Sequence, residues 1–380
     1  MIIGIDIRIL ASSSRSGIVE YAEQVIGRMI AAAPEHRFKL FYSSFRRPLP
    51  NYEWLSAPNV ELHSYRIPNN LLFLANRFFR RPRLDLLIGG VDVFFSPHFF
   101  LTALSSSCRR AVVFHDLSYL RFPEFFTLKK KFWHTAMEPQ RQAKLADKLI
   151  TVSESTKADL VRCYALDPAR IEVVSSGVDM TRPSKEDLEH FKKEHSLPER
   201  YIFSLGTLEP RKNLLGLVRA FNKISQRTEF SDCWLLIAGE RGWLDDKVFR
   251  EISSSPVSKR IRYLGHVSDQ ERPYYYALAS VFAYPSFFEG FGFPILEAMA
   301  CGVPVVTSNN SSMPEVAGPA AILVDAYSID DIVSAISELM IDDQLRKEMV
   351  ARGQQRARLF NWQDCAMKTL DLLVSDSPQR

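Results

Sequence analysis

Residues 281–300 read VFAYPSFFEGFGFPILEAMA. The opening run, Val281–Tyr284, is apolar and of strand length, and the stretch from Gly292 to Ala300 has the composition of a helix. Between them Gly290 and Gly292 let backbone approach a ligand closely, and the N–H groups at a helix start favour an anion such as a diphosphate. Strand, glycine turn and helix in this order form a βα step. The turn lacks the third glycine of a dinucleotide fingerprint and lies late in the chain, so it carries little by itself.

The same alternation extends in both directions. C-terminal to residue 200 the apolar runs Ile202–Leu205, Trp234–Ala238, Ile261–Leu264, Val281–Tyr284, Val303–Thr307 and Ala321–Val324 alternate with helical patterns near 212–228, 268–279, 292–301 and 328–340. In the first half the runs are Ile2–Ile7, Phe38–Tyr42, Val60–His63, Val91–Phe95, Ala111–His115, Lys148–Val152 and Ile171–Val174, with helices at Ile18–Ala32, Leu128–Lys144 and Glu154–Tyr164. Continuous apolar strands separated by helices predict parallel sheets covered on both faces. The fold class is therefore α/β, with two doubly wound Rossmann-like domains whose strand carboxyl ends meet across a cleft. A polar, proline-bearing stretch at 179–200 serves as the linker. The expected domains are 1–180 and 181–360, with the helix of 361–380 packing back on the first.

Composition agrees with two soluble cores: 380 residues, 46% apolar and 24% charged. Five widely spaced cysteines without a CxxC pair argue against a disulfide framework or zinc finger and favour a reducing compartment. MIIGIDIRIL at the start holds Asp6 and Arg8 and reads as a first strand, not a leader. The span-like stretch 84–104 is interrupted by Asp85, Asp92, Pro97 and His98, which suits interior sheet rather than lipid. Residues 1–180 hold 24 Lys and Arg against 17 Asp and Glu, and the remainder 24 against 27. The first half should therefore approach something anionic. No nucleic-acid-binding signature occurs, so nucleic acid is not expected, and a membrane surface or a phosphorylated acceptor fits better.

The second chemical signal is SLGTLEPRKN, residues 204–213, between a strand and a helix. Arg211 and Lys212 stand where a strand end opens on the cleft, suited to neutralising two phosphates, and Gly206 and Pro210 shape the loop. Taken alone, an Arg-Lys pair also reads as a solvated corner. Glu289 and Glu297 taken singly read equally as a surface acid and a helix-terminal acid. A carboxylate at 297 could accept from vicinal ribose hydroxyls, and one at 289 from sugar hydroxyls.

Together, GTLEPRKN (206–213), EGFGFPILEAMACGVPVV (289–306) and SSMPEVAGPAAILVD (311–325) resemble the retaining glycosyltransferases of the GT-B fold, family 4. GIDIR (4–8), SRSGIVEYAEQV (14–25), VVFHDLSYL (112–120) and TVSEST (151–156) extend the resemblance over most of the chain. The resemblance implies a nucleotide-diphosphate sugar donor held by the second domain and an acceptor held by the first. By similarity Arg211 and Lys212 stabilise the departing diphosphate, Glu297 binds ribose, and Glu289 with the backbone around Gly290, Phe291, Gly292 and Phe293 holds the hexose. Gly206 belongs to the same donor loop, and His266 and Val267 resemble the segment that contacts the nucleobase. His115 falls where family members place a histidine near the reacting sugar; read alone, a histidine at a strand end is more often a structural hydrogen-bonding residue. Gly17 matches the glycine loop before the first helix, although the second glycine and arginine often found there are missing.

The reaction expected from this resemblance is retaining transfer of a hexose to a glycan or lipid-linked acceptor. No Asp-x-Asp triplet occurs, so no metal or other cofactor is expected, the cations replacing it. General resemblance to bacterial mannosyltransferases of polysaccharide assembly favours GDP-mannose, with UDP-glucose or UDP-N-acetylglucosamine next. A sugar-nucleotide epimerase and a non-catalytic binding protein are the rivals of other classes. The stretch LLFLANRFFRRPR, residues 71–83, and Lys129–Trp133 read either as a peripheral membrane contact or as a core helix with a basic end. The first reading places the protein in the cytoplasm against the inner face of the membrane.

Overall fold

The computed structural model describes residues 1–11, 16–45, 47–243 and 245–375. Ser14 and Arg15 of the Ser-Arg-Ser-Gly turn lie outside the described residues, as do positions 376–380 of the C-terminal segment. The chain forms two compact units. The first comprises 1–121, 128–177 and 361–380; the second comprises 122–127 and 178–360.

The first unit is built on a wholly parallel sheet of β1 (Ile2–Asp6), β2 (Arg37–Ser43), β3 (Val60–Tyr65), β4 (Val93–Ser96), β5 (Arg109–Phe114), β6 (Lys148–Thr151) and β7 (Ile171–Val173), in the order β3-β2-β1-β4-β5-β6-β7. Ile5 of β1 registers with Leu40 of β2 and Phe95 of β4, all fully buried. Gly4 is required at the centre of β1, because a Cβ there would come within 2.8 Å of the Phe94 ring. The helix Gly17–Ala32 starts on Ser16, whose hydroxyl accepts from the Val19 amide, and buries Val19, Ala22, Ile26 and Met29 at helical spacing.

Against this helix lies the last one, Trp362–Val374, capped by Asn361. Trp362 is among the largest fully buried side chains of the chain. The fit at its start is tight: a Cβ on Gly177 would lie 2.3 Å from the Trp362 amide nitrogen.

The second unit has a six-stranded parallel sheet, β8 (Tyr201–Leu205), β9 (Trp234–Ala238), β10 (Ile261–Gly265), β11 (Val281–Tyr284), β12 (Val305–Ser308) and β13 (Ala321–Val324), ordered β10-β9-β8-β11-β12-β13. One face buries Ile202, Leu235, Ile237, Val281 and Val306 beneath Leu217 and Phe221 of helix Leu214–Ile224 and Ile332 and Ile336 of helix Ile329–Ile341. Strand order reverses between β8 and β11. Such a reversal, at the carboxyl ends of those two strands, leaves room for a ligand.

Three expectations are corrected. The helix expected over 128–144 is two, Leu128–Ala136 and Pro139–Leu145, separated by Glu138 in the left-handed region at φ 49°. The stretch read as linker contains a helix, Lys185–Glu194, capped by Ser184 and buried through Leu188 and Phe191. The stretch 84–104 contributes one strand, β4, and a helical turn, Leu84–Leu87, rather than continuous sheet. Among the described residues no helix is long and apolar enough to cross a membrane, and all five cysteines are free.

Trp362→Ala should lower the unfolding free energy by about 3–5 kcal/mol in urea denaturation. The exposed neighbour Leu359→Ala should stay within about 0.5 kcal/mol of wild type.

Candidate active site

The loop after β8 and the loop after β11 converge at the point where strand order reverses. Glu209, Pro210, Arg211 and Lys212 form a tight helical turn, and Asn213 ends it in the left-handed region at φ 53°. The Asn213 amide donates to the carbonyls of Pro285 (3.1 Å) and Ala326 (2.7 Å), tying the loops that follow β8, β11 and β13. Gly239, after β9, admits the Gly206 carbonyl, which would be 2.0 Å from any Cβ there. The Lys212 stem runs along Gly206, whose Cβ position is 3.4 Å from Cε.

These constraints bring two cations onto one carboxylate. Arg211 Nη1 donates to Glu289 Oε2 at 2.5 Å and to the Phe288 carbonyl at 2.8 Å. Its Nε and Nη2 both donate to Glu209 Oε1, at 3.0 and 2.5 Å. Lys212 Nζ donates to Glu289 Oε1 at 2.8 Å and to the Tyr284 hydroxyl at 2.5 Å. Glu289 and Glu209 are buried. The Glu289 backbone is fixed as well, its amide donating to Ser311 Oγ and its carbonyl accepting from Ser312 Oγ, which also donates to the Phe291 carbonyl.

Burial alone would raise the Glu289 pKa; the adjacent Arg211 and Lys212 charges, with hydrogen bonds from Lys212 and Tyr284, overcome it and hold the carboxyl at about 2. Lys212 is lowered, by burial first and then by Arg211, against the raising effect of Glu289 and Glu209. Burial drives the Tyr284 hydroxyl well up, with Glu289 adding to it. The cluster is thus a carboxylate clamped by two cations and a neutral phenol. An incoming anion that accepts from Arg211 and Lys212 exchanges one set of charge-assisted hydrogen bonds for another.

The other proposed donor residues are placed as follows. Gly292 caps helix Phe293–Ala300 at φ 109°, a conformation that glycine adopts without strain, and Pro294 sits in its first turn. Phe291 is buried and Gly290 lies in the same loop. Glu297 is buried and already engaged, accepting from Tyr276 Oη at 2.7 Å and Arg272 Nη1 at 3.1 Å. Its hydrogen bonds thus go to a different pair of residues from those that Glu289 engages. His266 follows β10 with its side chain 63% exposed, its Nδ1 3.7 Å from Glu240 Oε1, while Val267 is buried.

In the first unit His115 follows β5. Its Nε2 is 2.8 Å from the Pro97 carbonyl and therefore carries the proton, leaving Nδ1 as the acceptor nitrogen. Burial lowers its pKa, against the raising effects of that hydrogen bond and of Asp116, so the ring is neutral at physiological pH. The Tyr21 ring, on the helix that begins at Gly17, meets His115 edge-on at 4.9 Å. His98, buried with its Nδ1 unsatisfied, lies 6.1 Å from it ring to ring.

Sequence reading missed Glu209, Asn213, Tyr284, Arg272 and Tyr276. Glu209 and Asn213 stand inside the quoted loop, flanking the cations, and Tyr284 ends β11. Arg272 and Tyr276 had no local signal. Among the described residues no group of three or more His, Cys, Asp or Glu is placed to hold a metal ion.

Residues 185–356 match the family Glycosyl transferases group 1, and residues 15–182 match Glycosyltransferase Family 4. The chain is 32% identical over 366 residues to the O-antigen chain mannosyltransferase B of Escherichia coli, covering 94% of this chain and 95% of that one. Its fold resembles sucrose-phosphate synthase from Thermosynechococcus elongatus, with TM-score 0.76, 19% identity and 98% of each chain covered. It likewise resembles Anabaena HepE, solved in complex with UDP and glucose, with TM-score 0.73, 15% identity and 99% of each chain covered. Two parallel-sheet units with cations gathered at a strand-order reversal, the two family matches, and 32% identity over nearly the full length of a mannosyltransferase establish that this chain belongs to the family 4 glycosyltransferases of the GT-B fold.

Proposed function

We propose that the protein is a retaining mannosyltransferase that takes mannose from GDP-mannose and adds it to a glycan or lipid-linked acceptor, without a metal. The observation that carries this reading is the convergence of Arg211 and Lys212 on one buried carboxylate, in a chain 32% identical to a mannosyltransferase over nearly its whole length. The second unit holds the donor and the first holds the acceptor, at the inner face of the cytoplasmic membrane.

In this reaction the anomeric C1–O bond to the diphosphate breaks, and the electron pair leaves with the nucleoside diphosphate. The acceptor hydroxyl attacks on the face the leaving group vacates, and its proton passes to a leaving phosphate oxygen. Negative charge grows on the diphosphate as the sugar becomes oxocarbenium-like, so fixed cations stabilise the transition state more than the ground state. Glu209 holds the Arg211 guanidinium in place through two of its nitrogens, which limits the reorganisation needed when charge develops. Glu289, once Arg211 and Lys212 donate to phosphate instead, is available to accept from sugar hydroxyls, and Glu297 from ribose. His115, neutral with Nδ1 as acceptor, is suited to receive a hydroxyl of the reacting sugar or acceptor.

Glu289 also balances the charges in the free protein. Its folded-state pKa of about 2 lies below the ordinary 4.5. Its stabilisation is therefore fully present above the ordinary value and is lost as pH falls through the folded one.

Glu289→Gln should thus cost about 3 kcal/mol of stability near neutral pH, with the gap from wild type narrowing as pH falls from about 4.5 toward about 2. A gap independent of pH over that range would locate the effect in packing rather than charge. In EDTA, GDP-mannose should raise the melting temperature more than UDP-glucose or UDP-N-acetylglucosamine; a UDP-sugar preference or a requirement for added divalent ion would reject the donor and metal assignments. Arg211→Ala and Lys212→Ala should each lower turnover about 100- to 1,000-fold without unfolding the protein. NMR of the product should give an α-mannoside, the donor's own configuration, whereas a β-product would exclude retention.

A further inference from the structure

The first unit carries a second basic site, which includes Arg110 near the start of β5. Helix Asn69–Leu74 continues as a wider turn, Ala75–Phe79, and is pinned inward by Asn76, whose amide donates to the Leu72 carbonyl and whose Oδ1 accepts from the Ala103 amide at 2.7 Å. Outward it presents Phe78 and Phe79, 71% and 76% exposed. Three arginines from this turn and the helix Pro139–Leu145 converge on Glu138: Arg77 at 2.6 Å, Arg80 at 2.9 Å and Arg141 at 3.1 Å. Beside them opens a pocket of about 230 Å³ whose wall includes Arg80, Arg81, Arg83, Arg110 and Arg141, with Glu138 its one acidic residue.

Arg110 is what distinguishes this pocket from a solvated basic corner. It is 8% exposed, and its guanidinium donates to neutral acceptors, the Thr102 carbonyl at 3.0 Å and the Gln142 side-chain oxygen at 3.4 Å. Among the described residues no carboxylate forms an ion pair with it. Burial lowers its pKa, yet an arginine remains charged. Asp147 and Asp85 favour its charge through space, without an ion pair; a buried cation with no carboxylate in direct contact is costly, and an anion in the pocket would supply that contact. Guanidinium groups match phosphate oxygens in geometry as well as charge, and the exposed phenylalanines beside them match hydrocarbon.

We propose that this pocket binds the phosphate of an anionic membrane lipid, with Phe78 and Phe79 entering the hydrocarbon beside it. This deepens the membrane placement given above and rests on it. Arg110 stands at the start of β5, whereas His115 follows its end, so the pocket anchors the protein and takes no part in transfer.

The test is cosedimentation at physiological ionic strength with vesicles of phosphatidylcholine, alone or mixed with phosphatidylglycerol, with protein melting followed in parallel. Wild type should prefer the mixed vesicles. Arg110→Met should reduce that preference about fivefold and Arg80→Gln/Arg141→Gln about 25-fold, the latter pair lying on exposed side chains and serving if Arg110→Met fails to fold. Phe78→Ser/Phe79→Ser should weaken binding to both vesicle types alike. If the arginine variants keep the wild-type preference while the phenylalanine variant loses binding, the pocket assignment is wrong and the membrane reading stands. If the protein binds neither vesicle, both fall. Inorganic phosphate that raises the melting temperature of wild type but not of Arg110→Met, without vesicle binding, would make this a site for soluble phosphate and overturn the lipid assignment.

Discussion

The second unit is organised around one electrostatic problem: Arg211 and Lys212 must lie side by side, largely out of water, before any donor arrives. Two neighbouring cations in that setting repel, and each pays for lost hydration. Glu289 resolves this by accepting from both, and Glu209 takes the remaining edge of the guanidinium. The resident carboxylates keep the cations ordered without making the loop strongly positive. The free site therefore need not collapse or recruit a foreign anion to remain folded.

Such a cluster works only if the loops that bear it are held rigidly, and the parallel sheet achieves that. Reversal of strand order between β8 and β11 opens the space, and Asn213 crosses it to bind the carbonyls of Pro285 and Ala326. Gly239 permits the β9 and β8 ends to touch backbone to backbone. Glu297 belongs to a separate group with Tyr276 and Arg272, which fixes its carboxylate before any hydroxyl reaches it.

Much of this was legible in sequence where burial was strongest. Trp234–Ala238, Val281–Tyr284, Ala321–Val324 and helix Glu154–Tyr164 have the predicted bounds, because continuous apolar runs and a serine cap leave few alternatives. Helix Lys185–Glu194 escaped notice because its buried positions are only Leu188 and Phe191, amid eight polar or charged residues. The break at Glu138 did have a local signal, Pro139, which lacks the helical N–H and disfavours the α region for the residue before it, and the single helix expected over 128–144 ran past it. Motifs identified Arg211, Lys212 and Glu289, but their mutual pairing and the Tyr284 hydroxyl depend on which strands lie adjacent, and a linear pattern does not state that.

Four arginines with little exposed surface differ in how their charge is met. Arg8, Arg211 and Arg272 have side chains 10%, 15% and 16% exposed, and each meets a carboxylate, at Asp6, at Glu209 and Glu289, and at Asp269 and Glu297 respectively. Arg110 is buried as deeply and meets only neutral oxygens. Asp147, which accepts from the Arg110 backbone amide, and Asp85 act on its charge without an ion pair, and Glu138 is already shared among three other arginines. The fold thus leaves the buried Arg110 without a carboxylate in direct contact, while these other three are paired directly. Full compensation favours a site that must stay closed and ordered until its substrate displaces a resident partner; the deficit at Arg110 favours one whose partner comes from outside the chain.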